Sequence, residues 1–514
     1  MSNNRTPRLK SFWQKAILWI YPFLLAYYPI FALRNHNITY VDISTILRTL
    51  LLVTAGTAVV GGATYLLVRN LEKTGILVSV IVLLFLSYGH FYIQIEDSLG
   101  HPIQHRYLVG GEFLILLVIT ILILKKDPAA RVISQFLATA SVVLLAMGLF
   151  ESARYDFGVY RAMSNASQKE APKAQTQDNK KWPDFYVILL DGHTRSDVLK
   201  SRFGYDNSDF TRQLREMGFY VASCSQSNYA STKLSLTSAI YGDYIQNIVE
   251  GGALPPLETS PIDQTLKSLG YKTLAFENRA SGHFDLKEDL RLSRNQMAFG
   301  KFDLLGGINE FEKMMVDTSF LRFVVDTELI PGFDNDTLQE WDLREHYSQT
   351  NFILSELEKV PEIPGRKFIF AHIMVPHSPY IFAPDGSFRR DVHAISGYRS
   401  NSEFIDNRLP STLHAIIEKS DPRPIIIVMG DHGPATRTTI TKQMRMATLD
   451  AYLVNDAAKA QMYPSITPIN AMRIILNAHF GGAYPRLEDV SYYAYQLSQL
   501  DDADIIANDC APVP

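Results

Sequence analysis

The chain has 514 residues, 47% of them hydrophobic, and a net charge of -4. That length would accommodate about three average domains, and a charge so near balance excludes a chain built as a polycation for nucleic acid. The averages conceal a division: the first ~150 residues are strongly apolar, and the remainder has an ordinary soluble composition.

From the N-terminus, five apolar windows fall at about 14–33, 44–68, 76–96, 110–125 and 130–150. Each is near the ~20 residues that a bilayer-crossing helix needs, the fourth being the shortest. Stretches such as "LLLVTAGTAVVGGATYLLV" and "GILVSVIVLLFL" have no place on the surface of a soluble protein. A cleaved signal peptide would need one such run, not five. Arg5, Arg8, Lys10 and Lys15 precede the first window, Arg69 and Lys73 lie between the second and third, and Lys125, Lys126 and Arg131 lie between the fourth and fifth. These segments alternate with the cation-poor "RNHNITYVD" and "DSLGHPIQH". The positive-inside rule then places the N-terminus in the cytoplasm, and five crossings place everything beyond the fifth window outside. The expected organisation is a membrane domain with five transmembrane helices over 1–155, a linker or surface arm over 156–182, and an extracytoplasmic catalytic domain over 183–514. The middle segment is predicted from "SNASQKEAPKAQTQDNKKWPD", which is polar and carries two prolines. The two cysteines, Cys224 and Cys510, both fall in the exported part, where a bridge between them is permitted but not required.

From residue 183 the pattern alternates between strands and helices. "DFYVILLD" reads as a buried strand ending on Asp191, "GYKTLAFE" as one ending near Glu277, "KFIFAHIMVPH" as one leading to His372 and His377, and "PIIIVMGDH" as one ending on Asp431 and His432. Amphipathic stretches such as "SDFTRQLREMG", "IDQTLKSLG" and "EFIDNRLPSTLHAIIEKS" lie between them. This alternation predicts an α/β domain built on a doubly wound sheet. Short apolar runs bounded by turn residues suit strands of a parallel sheet, and such sheets carry their ligand sites at the carboxyl ends of the strands.

The polar residues at those ends form a pattern. Asp191 lies at a strand tip, ahead of a capping box predicted from Thr194 and Asp197. Asp431 and His432 stand between Gly430 and Gly433. Each alone reads as a turn or capping residue. Together, two carboxylates and one imidazole make a three-point site for a divalent metal with an open position. The stretch "SNYASTKLSLTSAIYG" predicts a helix entering the core with Ser231, Thr232 and Ser235 at its start. A hydroxyl there can be an N-cap, or a nucleophile beside a metal at an anion-binding helix terminus. Spacing alone leaves the choice among the three open. His377, between Pro376 and Pro379, sits on stiffened backbone and suits contact with an anionic substrate. His372, inside its strand, reads as packed core or as support for a ligand.

In their order, "VILLDGHTRSD", "NYASTKLSLTS", "AHIMVPHSPY" and "IIIVMGDHG" resemble the alkaline phosphatase superfamily. More narrowly, they resemble its membrane-anchored, sulfatase-like phosphotransferases, of the lipoteichoic acid synthase and phosphoethanolamine transferase type. The resemblance implies a sulfatase-like fold after five membrane helices. It implies metal ligation by Asp191, Asp431, His432 and Thr232, with Thr232 as the nucleophile and His377 as a contact to the transferred phosphate group. Arg279 and His283, in "LAFENRASGHFD", are candidates for further substrate contacts. The metal implied is one divalent ion, and one nitrogen with three oxygens suits zinc or manganese. The donor implied is a membrane phospholipid, the acceptor an envelope glycan or glycolipid, and the transferred group a phosphoethanolamine or phosphoglycerol head group. The Cys-x-Pro-x-Arg or Ser-x-Pro-x-Arg stretch of true sulfatases is absent from residues 231–238. Two other readings are a phosphodiesterase or atypical sulfatase that delivers the group to water, and a membrane-anchored binding module without chemistry. The competent ligand at every matched position weighs against the last.

Overall fold

In the computed structural model the described residues are 6–38, 41, 43–125, 127–166, 181–249, 253–276, 289–292, 308–391, 393–434, 440–508 and 510. They divide into two compact units, Met1–Asp156 with Asn295–Glu340, and Phe157–Arg294 with Trp341–Pro514. The sequence reading runs the second domain unbroken from 183 to 514, whereas the second unit is interrupted by Asn295–Glu340. The predicted linker lies outside the described residues over 167–180.

In the first unit the apolar windows fold as helices α1 (Thr6–His36), α2 (Leu47–Val68), α3 (Leu71–Leu99), α4 (His105–Lys125) and α5 (Asp127–Ala166). Four stretches among the described residues are long and apolar enough to cross a membrane: Ile43–Val68, Leu71–Leu99, His105–Lys125 and Ala129–Phe157. The helix α1, which carries Pro22 and Pro29, is not one of these four. Large apolar side chains stand free of protein contact on α2 and α5, with Leu67 86% and Phe150 71% exposed; hydrocarbon, not water, is the solvent such faces fit. Helices approach closely where side chains are small. A Cβ on Gly75 of α3 would lie 2.4 Å from the Tyr21 hydroxyl of α1, and one on Gly89 would lie 2.2 Å from the Asp317 carbonyl. The second contact seats helix Glu310–Thr318 against α3. That segment is further tied down by Arg48, which donates from Nε to Glu312 at 2.5 Å, and by His105, which lies 3.1 Å from Asp326.

In the second unit the central sheet contains β1 (Phe185–Leu190), β2 (Tyr220–Val221), β3 (Lys272–Phe276), β4 (Leu290–Leu292), β5 (Lys367–Ile373), β8 (Ile425–Gly430) and β9 (Asp450–Leu453), and the pairs β6 (Tyr380–Phe382) with β7 (Phe388–Asp391) and β10 (Tyr492–Tyr493) with β11 (Asp504–Ile505) lie apart from it. The order across the sheet is β2-β9-β8-β1-β5-β3-β4. The run from β8 to β4 is parallel, whereas β9 lies antiparallel to β8 and β2 antiparallel to β9. The sheet is therefore mixed, with an antiparallel edge on a parallel centre. Every residue of β1 is buried, which explains its unbroken apolar run. Phe185, Val187 and Leu189 pack in one core with Leu236 and Ile240, while Tyr186, Ile188 and Leu190 pack in another with Phe210, Leu354 and Leu409. Period-two alternation thus feeds two apolar layers, one on each face. Leu190 registers with Gly430 on one side and Ile373 on the other, so the carboxyl ends of β1, β5 and β8 are level.

Asp450, at the start of β9, shows what burial does to a lone acid. Its Oδ2 accepts hydrogen bonds from Ser225 Oγ at 2.5 Å and Thr448 Oγ1 at 2.9 Å. Desolvation outweighs these and pushes its pKa up to about 7. A raised carboxyl pKa means that the native state holds a proton which the unfolded chain has released. The contribution is complete below the unfolded pKa near 3.8 and is lost as the pH rises towards 7. Thermal unfolding of the full chain in detergent should show Asp450→Asn losing less stability than the parent between about pH 4 and pH 8. Parallel losses in the two proteins would refute the assignment.

Candidate active site

Asp191 follows β1 and Asp431 follows β8, so adjacent parallel strands deliver both carboxylates to one place. Both are buried, Asp191 3% exposed and Asp431 not at all. Each has one oxygen committed to the protein. Asp191 Oδ2 accepts from His372 Nε2 at 3.0 Å, and Asp431 Oδ1 accepts from the Gly192 backbone N–H at 2.8 Å. Their other oxygens, Asp191 Oδ1 and Asp431 Oδ2, are buried without a protein donor. His432 Nε2 lies 3.2 Å from the second and 3.9 Å from the first. Thr232 Oγ1 lies 3.2 Å from the same nitrogen.

The tautomer of His432 is set by its other nitrogen. Nδ1 lies 2.9 Å from the Gly433 carbonyl, which can only accept, so Nδ1 carries the hydrogen and Nε2 keeps its lone pair. Burial, and after it the charge of Arg445, push the His432 pKa down to about 4 against the pull of Asp431 and Asp191. The imidazole is therefore neutral at physiological pH. Burial would raise the Asp191 carboxyl, but His377, His372 and His432 together hold it far below the ordinary carboxylate range. Two carboxylate oxygens without donors, a free imidazole lone pair and a hydroxyl thus face one another. The ligand atoms of Asp191, Asp431 and His432 all lie within 4.8 Å of one another. Left alone, paired buried carboxylates repel and cost several kcal/mol; a divalent cation removes the penalty. The donor set fits such an ion.

Gly430 and Gly433 have steric reasons to be glycine. A Cβ at Gly430 would come within 2.2 Å of the His193 carbonyl, and one at Gly433 within 2.0 Å of the Met444 carbonyl. Backbone from two other segments is pressed against the Asp-His turn and fixes its direction. His193 is itself held at 2.7 Å by the buried Asp406.

Thr232 is the first residue of helix Thr232–Tyr241, half-buried beside His432. The free N–H groups of that first turn make an anion cradle next to its hydroxyl. The two competing hydroxyls are occupied elsewhere. Ser235 Oγ donates to Tyr229 O at 2.6 Å. Ser231 stands at the N-cap position but makes no side-chain cap bond; its Oγ donates to Tyr495 O at 3.1 Å instead. The capping box expected from Thr194 and Asp197 does not form either. Arg195 is the N-cap residue of helix Ser196–Phe203, without a side-chain cap bond. Thr194 Oγ1 donates to Ala447 O, and Asp197 pairs with Arg195. Tertiary partners win these hydroxyls over local backbone.

His377 donates its backbone N–H to the Asp191 carbonyl at 3.0 Å and its Nδ1–H to Ser378 O at 2.6 Å. It is half-buried, at the edge of the group. Arg279 and His283 lie outside the described residues. Cys224 and Cys510 are joined in a disulfide with a Cα–Cα distance of 5.2 Å.

Arg445 had no signal in the sequence. It is 7% exposed, and its guanidinium donates twice to Ala230 O, at 3.0 and 2.7 Å, and once to Gly433 O at 3.0 Å. One side chain thereby clamps the loop before Thr232 to the loop after His432.

A family model described as Sulfatase matches residues 183–472, more than half of the chain. No curated protein matches the chain in sequence. Among solved structures, the C-terminal periplasmic domain of EcEptC from Escherichia coli in complex with Zn is 12% identical, with a TM-score of 0.43, covering 66% of this chain and 97% of that one. A protein in the alkaline phosphatase superfamily from Vibrio parahaemolyticus is 12% identical, with a TM-score of 0.39, covering 67% and 84%. The soluble domain of lipooligosaccharide phosphoethanolamine transferase A from Neisseria meningitidis is 12% identical, with a TM-score of 0.35, covering 58% and 88%.

Elemental analysis of purified full-length protein should find a divalent metal that Asp191→Asn, Asp431→Asn and His432→Ala each lose. His372→Ala removes only a support for Asp191 and should weaken metal affinity by about 10–100-fold. Full metal content in all three ligand variants would eliminate the site.

Proposed function

Since this chain belongs to the sulfatase family, we propose that it transfers a phospholipid-derived head group, of phosphoethanolamine or phosphoglycerol type, to an envelope glycan or glycolipid. The observation that carries this reading is the half-buried Thr232 hydroxyl, 3.2 Å from His432 Nε2 and on the same side as two buried carboxylate oxygens without donors. A nucleophile placed there suits a reaction in two displacements rather than direct attack by water. The lack of a Cys-x-Pro-x-Arg or Ser-x-Pro-x-Arg stretch at residues 231–238 supports phosphorus over sulfur as the centre attacked.

Asp191, Asp431, His432 and Thr232 would hold one divalent ion, zinc or manganese, which would supply Lewis-acid stabilisation and make the hydroxyl a better nucleophile at neutral pH. Thr232 Oγ gives up its proton to solvent and forms a bond to the donor phosphorus while the bond from phosphorus to the diacylglycerol oxygen breaks. The N–H groups at the start of helix Thr232–Tyr241 receive the phosphate oxygens. His377, at the edge of the group, holds those oxygens and relays a proton from solvent to the departing alkoxide. An acceptor hydroxyl then attacks the same phosphorus and Thr232 Oγ leaves, recovering its proton. Arg445 keeps nucleophile and imidazole in register throughout, a positioning role by the bonds it makes.

For the membrane unit the reading is five crossings, with the N-terminus inside and the catalytic unit on the periplasmic side. It rests on the alternation of basic and cation-poor segments. A reporter that works only outside the cytoplasm should be active when fused after Gly158 and inactive after Glu72. The reverse pattern would overturn the orientation and the donor leaflet with it.

The chemistry is tested by mass spectrometry of protein incubated with head-group-labelled phospholipid and no acceptor. The added mass should sit on the peptide containing Thr232, and Thr232→Ala should lower turnover by several powers of ten. Ser231→Ala should leave turnover intact, since its hydroxyl faces Tyr495 O. Mass on Ser231 or Ser235, or a fully active Thr232→Ala protein, would refute the mechanism.

A further inference from the structure

The residues before Thr232 lie along a second segment, 490–495, near the end of the chain. Tyr492 N–H donates to Asn228 O at 2.9 Å and Ala230 N–H to Ala494 O at 3.1 Å. Ser231 Oγ donates to Tyr495 O at 3.1 Å. Extended backbone puts alternate side chains on opposite faces. Ala494 is fully buried, and the Tyr492 ring stacks on Tyr229 at 5.7 Å. The other face carries Tyr493 and Tyr495, whose rings meet edge to face at 5.4 Å with their hydroxyls 3.1 Å apart.

Both rings are held from beneath by cations already engaged elsewhere. The Arg445 guanidinium lies 5.4 Å from the Tyr495 centroid, and Lys442 Nζ lies 5.1 Å from that of Tyr493. Lys442 also pairs with Asp504, and Arg445 with the carbonyls of Ala230 and Gly433. The platform is thus held on both sides, and Tyr495 is 37% exposed, a large aromatic left at the surface and bonded through its main chain to Ser231, the residue before Thr232. Nothing in the proposed transfer of the head group to Thr232 uses it. Fixed tyrosines with one apolar face and a polar tip are recognition surfaces, cheap in conformational entropy. The C–H face of a pyranose ring packs on such a plane, and its hydroxyls bond to the phenol oxygens around it.

We propose that Tyr493 and Tyr495 form the subsite that receives the saccharide of the acceptor and presents its hydroxyl towards Thr232. This deepens the transfer reading and rests on it for the role, but the binding can be measured without turnover. Tyr495 binds Ser231 through its main chain, so removing its ring leaves that tether in place.

Full-length protein in detergent is mixed with chitobiose as the saccharide probe, with glycerol as a small polyol control, and saturation transfer from protein to probe is read by NMR. The parent should saturate chitobiose strongly and glycerol weakly. Tyr495→Ala and Tyr493→Ala should each weaken chitobiose binding by about tenfold, while Tyr495→Phe, which keeps the plane, should retain most of it. In parallel, labelled donor should still add its mass to Thr232 in Tyr495→Ala. Equal chitobiose saturation in parent and both alanine variants would overturn the subsite, as would equal saturation of glycerol and chitobiose in the parent. Failure of Thr232 to take up label in the parent would overturn the transfer reading alone, since the binding measurement does not depend on it.

Discussion

The second unit is organised around two carboxyl groups brought side by side. Asp191 and Asp431 are buried side by side at the level ends of two parallel strands, each with one oxygen that no protein group satisfies. Such an arrangement is unfavourable for a bare protein by several kcal/mol and becomes favourable when a cation takes both oxygens. The surrounding bonds all act to keep it so. His372 and the Gly192 N–H occupy the outer oxygens, which leaves only the inner pair to turn towards a ligand. The Gly433 carbonyl takes the hydrogen of His432 Nδ1, which leaves Nε2 to do the same. Three separate neighbours thus aim three donor atoms at one point.

Holding that geometry calls for backbone to come closer than side chains allow. Gly430 and Gly433 meet carbonyls from the 193 and 444 positions at distances where any Cβ would collide. The flanking glycines of the Asp-His turn therefore act through packing rather than through unusual torsion angles. Arg445 works from the other side, joining the carbonyls before Thr232 and after His432. The Thr232 hydroxyl and the His432 imidazole arrive from segments 200 residues apart, and this one guanidinium ties the two segments together.

The ends of the strands were legible in the sequence because burial on both faces makes each strand an unbroken apolar run, so the first acid after it marks the tip. Asp191, Asp431 and His432 could be found that way, and level registration of β1 and β8 then brings them together. The choice among Ser231, Thr232 and Ser235 was not legible from spacing. It depends on which hydroxyls are taken by Tyr495 O and Tyr229 O, contacts that span up to 264 residues. The same reason hid Arg445, which sits in a short helix, Lys442–Met446, with no periodic pattern to mark it. The capping box at Thr194 misled because local propensity was outbid by Ala447 O. The antiparallel edge formed by β9 and β2 was hidden too, since strand direction is a property of connections and not of residues. Nor could composition place Asn295–Glu340 with the apolar helices, because the ties that hold it are long-range ones, such as Phe311 and Met315 in one core with Ala26 and Ile30 and the pairing of Arg48 with Glu312.

Residues 490–508 and Cys510 explain how the segment leading to the half-buried Thr232 is held in place. A helix N-terminus preceded by an irregular segment would ordinarily be among the more mobile parts of a fold. Here residues 228–231 are bonded along residues 490–495, so their backbone groups are satisfied as they would be in a sheet. The second segment is in turn secured by β11, which pairs with β10, and by the disulfide from Cys510 to Cys224, four residues before Asn228. The bridge closes a loop of 286 residues, and by the chain-entropy account a loop that long places its cost in the unfolded state. Both ends of the same short region are thereby anchored, one by hydrogen bonds and one covalently. Rigidity at Thr232 is thus supplied by residues distant in sequence, through main-chain bonds to 490–495 and the bridge to Cys510.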